Sequence, residues 1–265
     1  MTLIVGIRCD KSVVLGADGA ATLGNFGTHT ISQPVSKLRI LSGKQVILGV
    51  SGPVSFGQLF ADRADKACSA LQTTTPVELG RKLRDAFLLD AKSAFDIAGL
   101  AARFAGSATQ TEVMTSTLVA AAPKGEYSLI EFTYQCNPEL ATDDLPFKAI
   151  GSGQNIADPF LAFLRQIFWP SKLPTLSEGR LAVVWTLTHA IRIAPGGISL
   201  PIQVATLEQD DKTKQPIARI LSEADLKEHR EAISHAEDHL RGFLKEAPVL
   251  ATDAEAAIPR PPDKD

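Results

Sequence analysis

The order in which hydrophobic periodicity changes along this chain constrains its fold more than any single residue does. Leu3 to Ile7 and Ser12 to Ala17 are short apolar, β-branched runs around the polar break Arg8-Cys9-Asp10-Lys11, which predicts a hairpin. Ala20 to Leu23 reads as a further short strand, and residues 24–36, rich in Gly, Thr, Ser and Pro, read as a loop. Lys37 to Leu41 and Gln45 to Val50 predict a second hairpin around Ser42-Gly43-Lys44. From Ser55 the period turns helical, with Phe56, Leu59, Phe60, Ala64, Ala67 and Leu71 on one face. Thr75-Pro76-Val77-Glu78 opens a second helix. Thr75 is the N-cap, Pro76 fits the first helical position and Glu78 completes a capping box. Leu79, Leu83, Phe87 and Leu88 give that helix its apolar face, and residues 99–114 are weakly patterned. Strands return at Ser116 to Ala122, Tyr127 to Tyr134 and Phe147 to Ile150. Helices follow at Ile156 to Phe168 and Leu176 to Ile193, then a strand at Ile202 to Leu207 and a charged helix capped by Ser222 and Asp225 that runs to about Glu246.

Strands, two helices, strands, two helices, strand is a segregated order. It predicts an α+β layered domain with helices outside and sheets inside, and fits parallel βαβ alternation poorly. No Gly-rich phosphate loop stands at a strand-to-helix turn, which leaves a nucleotide-binding fold without support. The expected organisation is one domain over residues 2–221, a helical extension over 222–247 and a disordered tail of Pro, Ala and charge over 248–265. With 265 residues, 45% of them hydrophobic, the chain can bury a large core without disulfides or metal. A net charge of -3 gives no electrostatic case for nucleic acid or an anionic membrane. No apolar run reaches the ~18–20 residues that span a bilayer. The opening residues lack the basic, apolar and small-residue regions of a secretory signal, so a cytoplasmic protein is expected. Cys9, Cys68 and Cys136 are odd in number and far apart, which predicts reduced, buried thiols.

Several short stretches carry a resemblance when taken together. They are Thr2-Leu-Ile-Val-Gly-Ile-Arg, Val13 through Ala-Asp-Gly to Leu-Gly-Asn-Phe26, Lys37-Leu38-Arg39, Leu48-Gly49-Val50-Ser51-Gly52 and Gly151-Ser152-Gly153. This set resembles mature proteasome β-subunits and the bacterial HslV peptidase, over roughly residues 2–207. Within that family the stand-alone betaproteobacterial proteasome homologue group looks nearest, and the ancestral bacterial β-like (Anbu) group second. The resemblance implies the four-layer αββα sandwich of N-terminal-nucleophile hydrolases. It implies a threonine-type endopeptidase that needs no cofactor or metal and works inside stacked homo-oligomeric rings, expected as two heptamers. Peptides or unfolded proteins are the implied substrates; an unfoldase partner is left open.

The chemistry centres on Thr2. A hydroxyl is a weak nucleophile and needs an adjacent base. Once Met1 is removed, the α-amine of Thr2, with a reference pKa of about 7.7–8.0, is such a base. Read alone, Thr2 is an ordinary strand residue. By resemblance Lys37 lowers the pKa of the Thr2 hydroxyl and amine, and Asp18 keeps that lysine charged and oriented. Apart from the family, Lys37 reads as a surface lysine and Asp18-Gly19 as a turn. Ser152 matches the serine that bonds the terminal amine, and Gly49 the backbone N–H of the oxyanion hole. Ala21, Ile47 and Ser51 match residues lining the pocket before the cut, which favours an apolar side chain. The chain departs from the family in its longer 24–36 loop, in Ala20 where some relatives carry arginine, in Arg192 and Pro195 at the places of an Asp and a Ser, and in its C-terminal helix. His235 and His239 stand four apart on that helix, without the glutamate of zinc proteases, and read as a solvated face. Two rivals follow: an N-terminal-nucleophile amidase or acylase acting on small molecules, and an inactive ring component.

Overall fold

β1 (Ile4–Cys9) and β2 (Ser12–Ala17) form the predicted hairpin, in a register that sets Ile4 opposite Ala17 and Cys9 opposite Ser12. This is a computed structural model, and it describes residues 2–23, 31–41, 43–105, 114–194 and 197–246. The hairpin is the middle of an antiparallel five-stranded sheet. β10 (Phe147–Ile150) flanks β1, and β11 (Gln203–Gln209) flanks β2 and carries β12 (Pro216–Ile220) at the edge. A second antiparallel sheet runs in simple sequence order: β5 (Leu38–Leu41), β6 (Val46–Ser51), β7 (Ser116–Ala121), β8 (Ser128–Phe132) and β9 (Pro138–Leu140). β3 (Ala20–Leu23) pairs with β4 (Ile31–Pro34) in a separate ribbon.

Five α-helices are described: α1 (Val54–Ala67), α2 (Pro76–Ala105), α3 (Gln154–Phe168), α4 (Leu176–Ile193) and α5 (Glu223–Glu246). Three buried clusters explain their placement. Leu3, Val5, Ile7 and Cys9 pack with Leu161 and Leu164 of α3, Val183, Val184 and Leu187 of α4, and Leu226 and Ile233 of α5. Val46 and Leu48 of β6 pack with Phe56 and Phe60 of α1 and with Leu79, Leu83 and Phe87 of α2. A third cluster joins the two large sheets, with Ile4, Val13 and Leu15 against Ile47, Leu118 and Leu129. Successive strand residues point to opposite faces. Buried residues on both faces of β1 and β2 therefore account for their near-continuous apolar sequence.

Local chemistry matches the packing. The expected capping box is present at α2, where Glu78 N–H donates to Thr75 Oγ1 at 3.3 Å and Thr75 N–H to Glu78 Oε2 at 2.8 Å. Thr175 and Glu178 form another at α4, and Ser222 with Asp225 does the same for α5. Phe87 stacks on Phe60 with centroids 4.4 Å apart and meets Phe132 edge-on at 5.1 Å, fixing α2 against α1 and β8. All three cysteines are free and buried; burial pushes the Cys9 thiol up to about 12.

The structure differs from the sequence reading in four places. Ile31–Pro34 is a strand, where a loop was expected through residue 36; residues 24–30 of that loop lie outside the described residues. α2 continues to Ala105, because alanine is a strong helix former even where the apolar pattern fades. β9 and β12 had no prediction: β9 is only three residues long, and β12 is an edge strand with a single buried residue. The helix expected at 222–247 is α5, and its Leu226 and Ile233 are buried in the same cluster as α3 and α4. Residues 248–265 lie outside the described residues.

Candidate active site

Thr2, Asp18, Lys37 and Ser152 come together because each stands at the end of a strand. Thr2 lies two residues before β1. Asp18 follows the last residue of β2, and the hairpin register brings it beside Leu3: Asp18 N–H donates to Leu3 O at 3.1 Å and Leu3 N–H to Asp18 Oδ1 at 2.8 Å. Ile150, the last residue of β10, pairs with Ile4, so Gly151 and Ser152 continue alongside Leu3 and Thr2. Lys37 immediately precedes β5. Three strand ends from two sheets thus converge on the start of the fourth.

At that point the Lys37 ammonium donates to Asp18 Oδ1 at 2.7 Å and to Thr2 Oγ1 at 3.4 Å. Asp18 is fully buried. Besides Leu3, the backbone N–H groups of Ala20 (3.1 Å) and Ser199 (3.4 Å) donate to its Oδ2. Burial lowers the Lys37 pKa from its ordinary value, against the opposing pull of the Asp18 hydrogen bond and charge. Thr2 N–H donates to Ser152 Oγ at 3.3 Å, and Ser152 Oγ lies 3.4 Å from Thr2 O as a donor. Gly151 makes that approach possible: its φ is +96°, and a Cβ there would stand 2.2 Å from Thr2 O.

Thr2 and Lys37 open onto a cleft of about 240 Å³. Ala21, Val35, Leu48 and Val50 are among its walls, with Arg39 also on the lining. Ala21, one of the residues that the resemblance assigns to a substrate pocket, is among those that line this cleft. Ile47 and Ser51, assigned with it by the resemblance, are not among the residues that line this cleft. β6 alternates, so Leu48 and Val50 face the cleft side while Ile47 is fully buried between the sheets. Ser51 is half-buried and pairs with Ser116. Gly49 is likewise absent from the lining: it sits in mid-ladder between Leu38 and Leu118, and a Cβ there would meet Ile4 and Leu38. Gly52 does line the cleft. Its φ is +138°, and a Cβ would come within 2.8 Å of Met114 O and Thr115 Oγ1.

Two further residues hold the site and were not anticipated. Gln203 at the start of β11 accepts from Lys37 N–H at 3.1 Å and donates to Val35 O at 2.7 Å, clamping the segment that presents Lys37. Ser199 accepts from Gly19 N–H at 2.8 Å while its own N–H reaches Asp18. Neither has a spacing signal, since both act across more than 160 residues of chain. Arg192 points elsewhere, pairing with Glu237 of α5 at 2.8 Å. Pro195 lies outside the described residues. Among the described residues no group of three His, Cys, Asp or Glu side chains could hold a metal ion. No described helix is long and apolar enough to cross a membrane.

No family model matches the chain. Among solved structures it is similar to Anbu from Hyphomicrobium sp. strain MC1, with 19% identity and a TM-score of 0.62, over 91% of this chain and 97% of that one. It is also similar to Anbu, described as an ancestral beta-subunit, from Yersinia bercovieri, with 15% identity and a TM-score of 0.61 over the same shares. The chain has the Anbu fold. This reverses the order of the sequence resemblance, which placed the betaproteobacterial homologue group first and Anbu second. In the Anbu fold as this chain builds it, the four converging residues lie at strand ends, where side chains can change while the ladders behind them stay intact.

Proposed function

We propose that this chain is a threonine-type N-terminal-nucleophile hydrolase that cleaves peptide bonds. The observation that carries the reading is the placement of the Lys37 ammonium between a fully buried Asp18 and the hydroxyl of Thr2, at the wall of a cleft. The reading requires the bond between Met1 and Thr2 to be cut, which turns Thr2 N into a free amine. That amine, held by Ser152, takes the hydroxyl proton directly or through a water. Thr2 Oγ1 then attacks the substrate carbonyl. Lys37 favours the deprotonated forms of both Thr2 groups, and three backbone amides hold the Asp18 charge that orients it.

The oxyanion role first read for Gly49 is better given to Gly52, which lines the cleft. Collapse of the tetrahedral intermediate expels the amine product, taking up the proton, and leaves an ester on Thr2. Water attacks the ester, regenerating Thr2 and releasing an acid. Val35, Leu48 and Val50 favour an apolar residue before the cut.

The three buried clusters support a four-layer αββα sandwich, with residues 2–221 as the hydrolase domain, α5 as an added helix and 248–265 as a tail. The likeness to Anbu, described as an ancestral beta-subunit, supports self-association into stacked rings that enclose the sites in the cytoplasm, with two heptamers as the arrangement to test. The direct test is hydrolysis of fluorogenic peptides and of small amides by wild type and Thr2→Ala. Peptide cleavage by wild type alone supports the reading. Cleavage confined to small amides moves the chain to the amidase class, and equal activity in both proteins removes Thr2 from the mechanism.

A further inference from the structure

The outward face of α2 carries a pattern that packing among the described residues does not use. Its inner face buries Leu79, Leu83, Phe87, Ala91 and Ala98. On the other side Leu89 and Ile97 are each 65% exposed and Leu100 56%, with the exposed Ser93 between them. Beside this row stand four exposed charges, Asp85, Lys92, Asp96 and Arg103, spaced seven, four and seven residues apart. At 3.6 residues per turn those spacings put all four on nearly one line along the helix. Among the described residues none of the four is held in an ion pair.

The spacing reads the same in both directions, while the signs alternate negative, positive, negative, positive. Such a row is its own complement when reversed. Two antiparallel copies set Asp85 against Arg103 and Lys92 against Asp96, and each contact occurs twice, as a two-fold interface demands. The same alignment lays Leu89 against Leu100 and Ser93 beside Ile97 of the other copy. A parallel alignment in the same register would oppose like charges at every level.

We propose that the outer face of α2 docks antiparallel on α2 of a second copy of this chain, with the two-fold axis level with residue 94. The apolar row supplies the attraction and the charge row fixes direction and register. The contact is independent of the Thr2 site, and Thr2→Ala protein associates as wild type does.

Sedimentation equilibrium of the full chain over a concentration series tests it, with Lys92→Glu and the double variant Lys92→Glu, Asp96→Lys. Lys92→Glu turns two attractive pairs into repulsive ones and weakens this association about tenfold. The double variant restores it, because the pairs reappear with their signs exchanged. In parallel, isotope-labelled and unlabelled wild type are mixed and joined with a zero-length carbodiimide cross-linker. A Lys92–Asp96 link between a labelled and an unlabelled chain is expected. Monomeric wild type, a double variant no better than the single one, or Lys92–Asp96 links confined within one chain each overturn the proposal. The cross-link uses the unaltered chain, so it decides the matter even where a variant fails to fold.

Discussion

Among the described residues two lysines are buried against carboxylates, and the two sites behave differently. The Lys37 side chain is 8% exposed and meets Asp18. The Lys148 side chain is 7% exposed and meets Glu139, with Glu131 at 3.6 Å. At the first site the carboxylate has its own support, three backbone N–H groups besides the ammonium. The cost of burial therefore falls on the lysine, whose pKa is lowered. At the second site carboxylates outnumber ammonium groups, and the cost falls on them: burial raises Glu131 despite Lys148, and raises Asp158 close by. Only the first site faces a hydroxyl and a cleft. A buried ion pair is thus a poor guide to function on its own. The informative features are which partner lacks compensation and what else that partner touches.

The largest difference between the two should appear in turnover. Lys37→Met is expected to lower peptide hydrolysis by about 100- to 10,000-fold, the range for losing a group that controls proton transfer. Lys148→Met should leave kcat/KM within about threefold of wild type, because it touches no reacting atom. Loss of activity in both variants would collapse the distinction.

Stability should separate them in the opposite sense. Lys148→Met strands Glu131 and is expected to cost up to about 3 kcal/mol in urea unfolding, moderated because Glu139 opens to solvent. That penalty should shrink at acid pH. Glu131 has a folded pKa above its unfolded one, so its contribution is fully present below the unfolded value and is lost as pH rises through the folded value. Removing Lys148 raises Glu131 further. The deficit relative to wild type should therefore be smaller at pH 5 than at pH 8, and a deficit that grows toward acid would contradict the assignment.

The smallest effect tests the periphery of the Lys37 site. Ser152→Ala removes one hydrogen bond to Thr2 N and is expected to lower kcat about tenfold, with a change in unfolding free energy of about 1 kcal/mol. A loss as large as that of Lys37→Met would mean that Ser152 takes part in proton transfer itself.

Much of this arrangement was legible in the sequence, for a physical reason. Strands end where apolar runs end, so Asp18 after Ala17 and Ser152 after Ile150 could be placed at strand ends from periodicity alone. The helix starts were readable because a capping box is local chemistry. The cleft wall was less legible. Ile47 and Ser51 were placed at the pocket by resemblance, which carries no information on which face of β6 meets the cleft; the residues that line it are Leu48 and Val50, at alternate positions of the strand. Gly49 and Gly52 stand three residues apart in one sequence run, and the structure separates them: Gly49 pairs within the ladder, while Gly52 follows the strand with a positive φ and lines the cleft. Gln203 and Ser199 contribute through contacts between residues far apart in sequence, where no periodicity can reveal them.

The most direct test of the central claim is the intact mass of wild type and Thr2→Ala after incubation with a peptide epoxyketone, whose warhead reacts with a hydroxyl and a neighbouring free amine together. With Met1 verified absent, the account predicts a single adduct on wild type and none on Thr2→Ala. A wild-type chain that begins at Thr2 and takes up no adduct, or an equal adduct on both proteins, would contradict it.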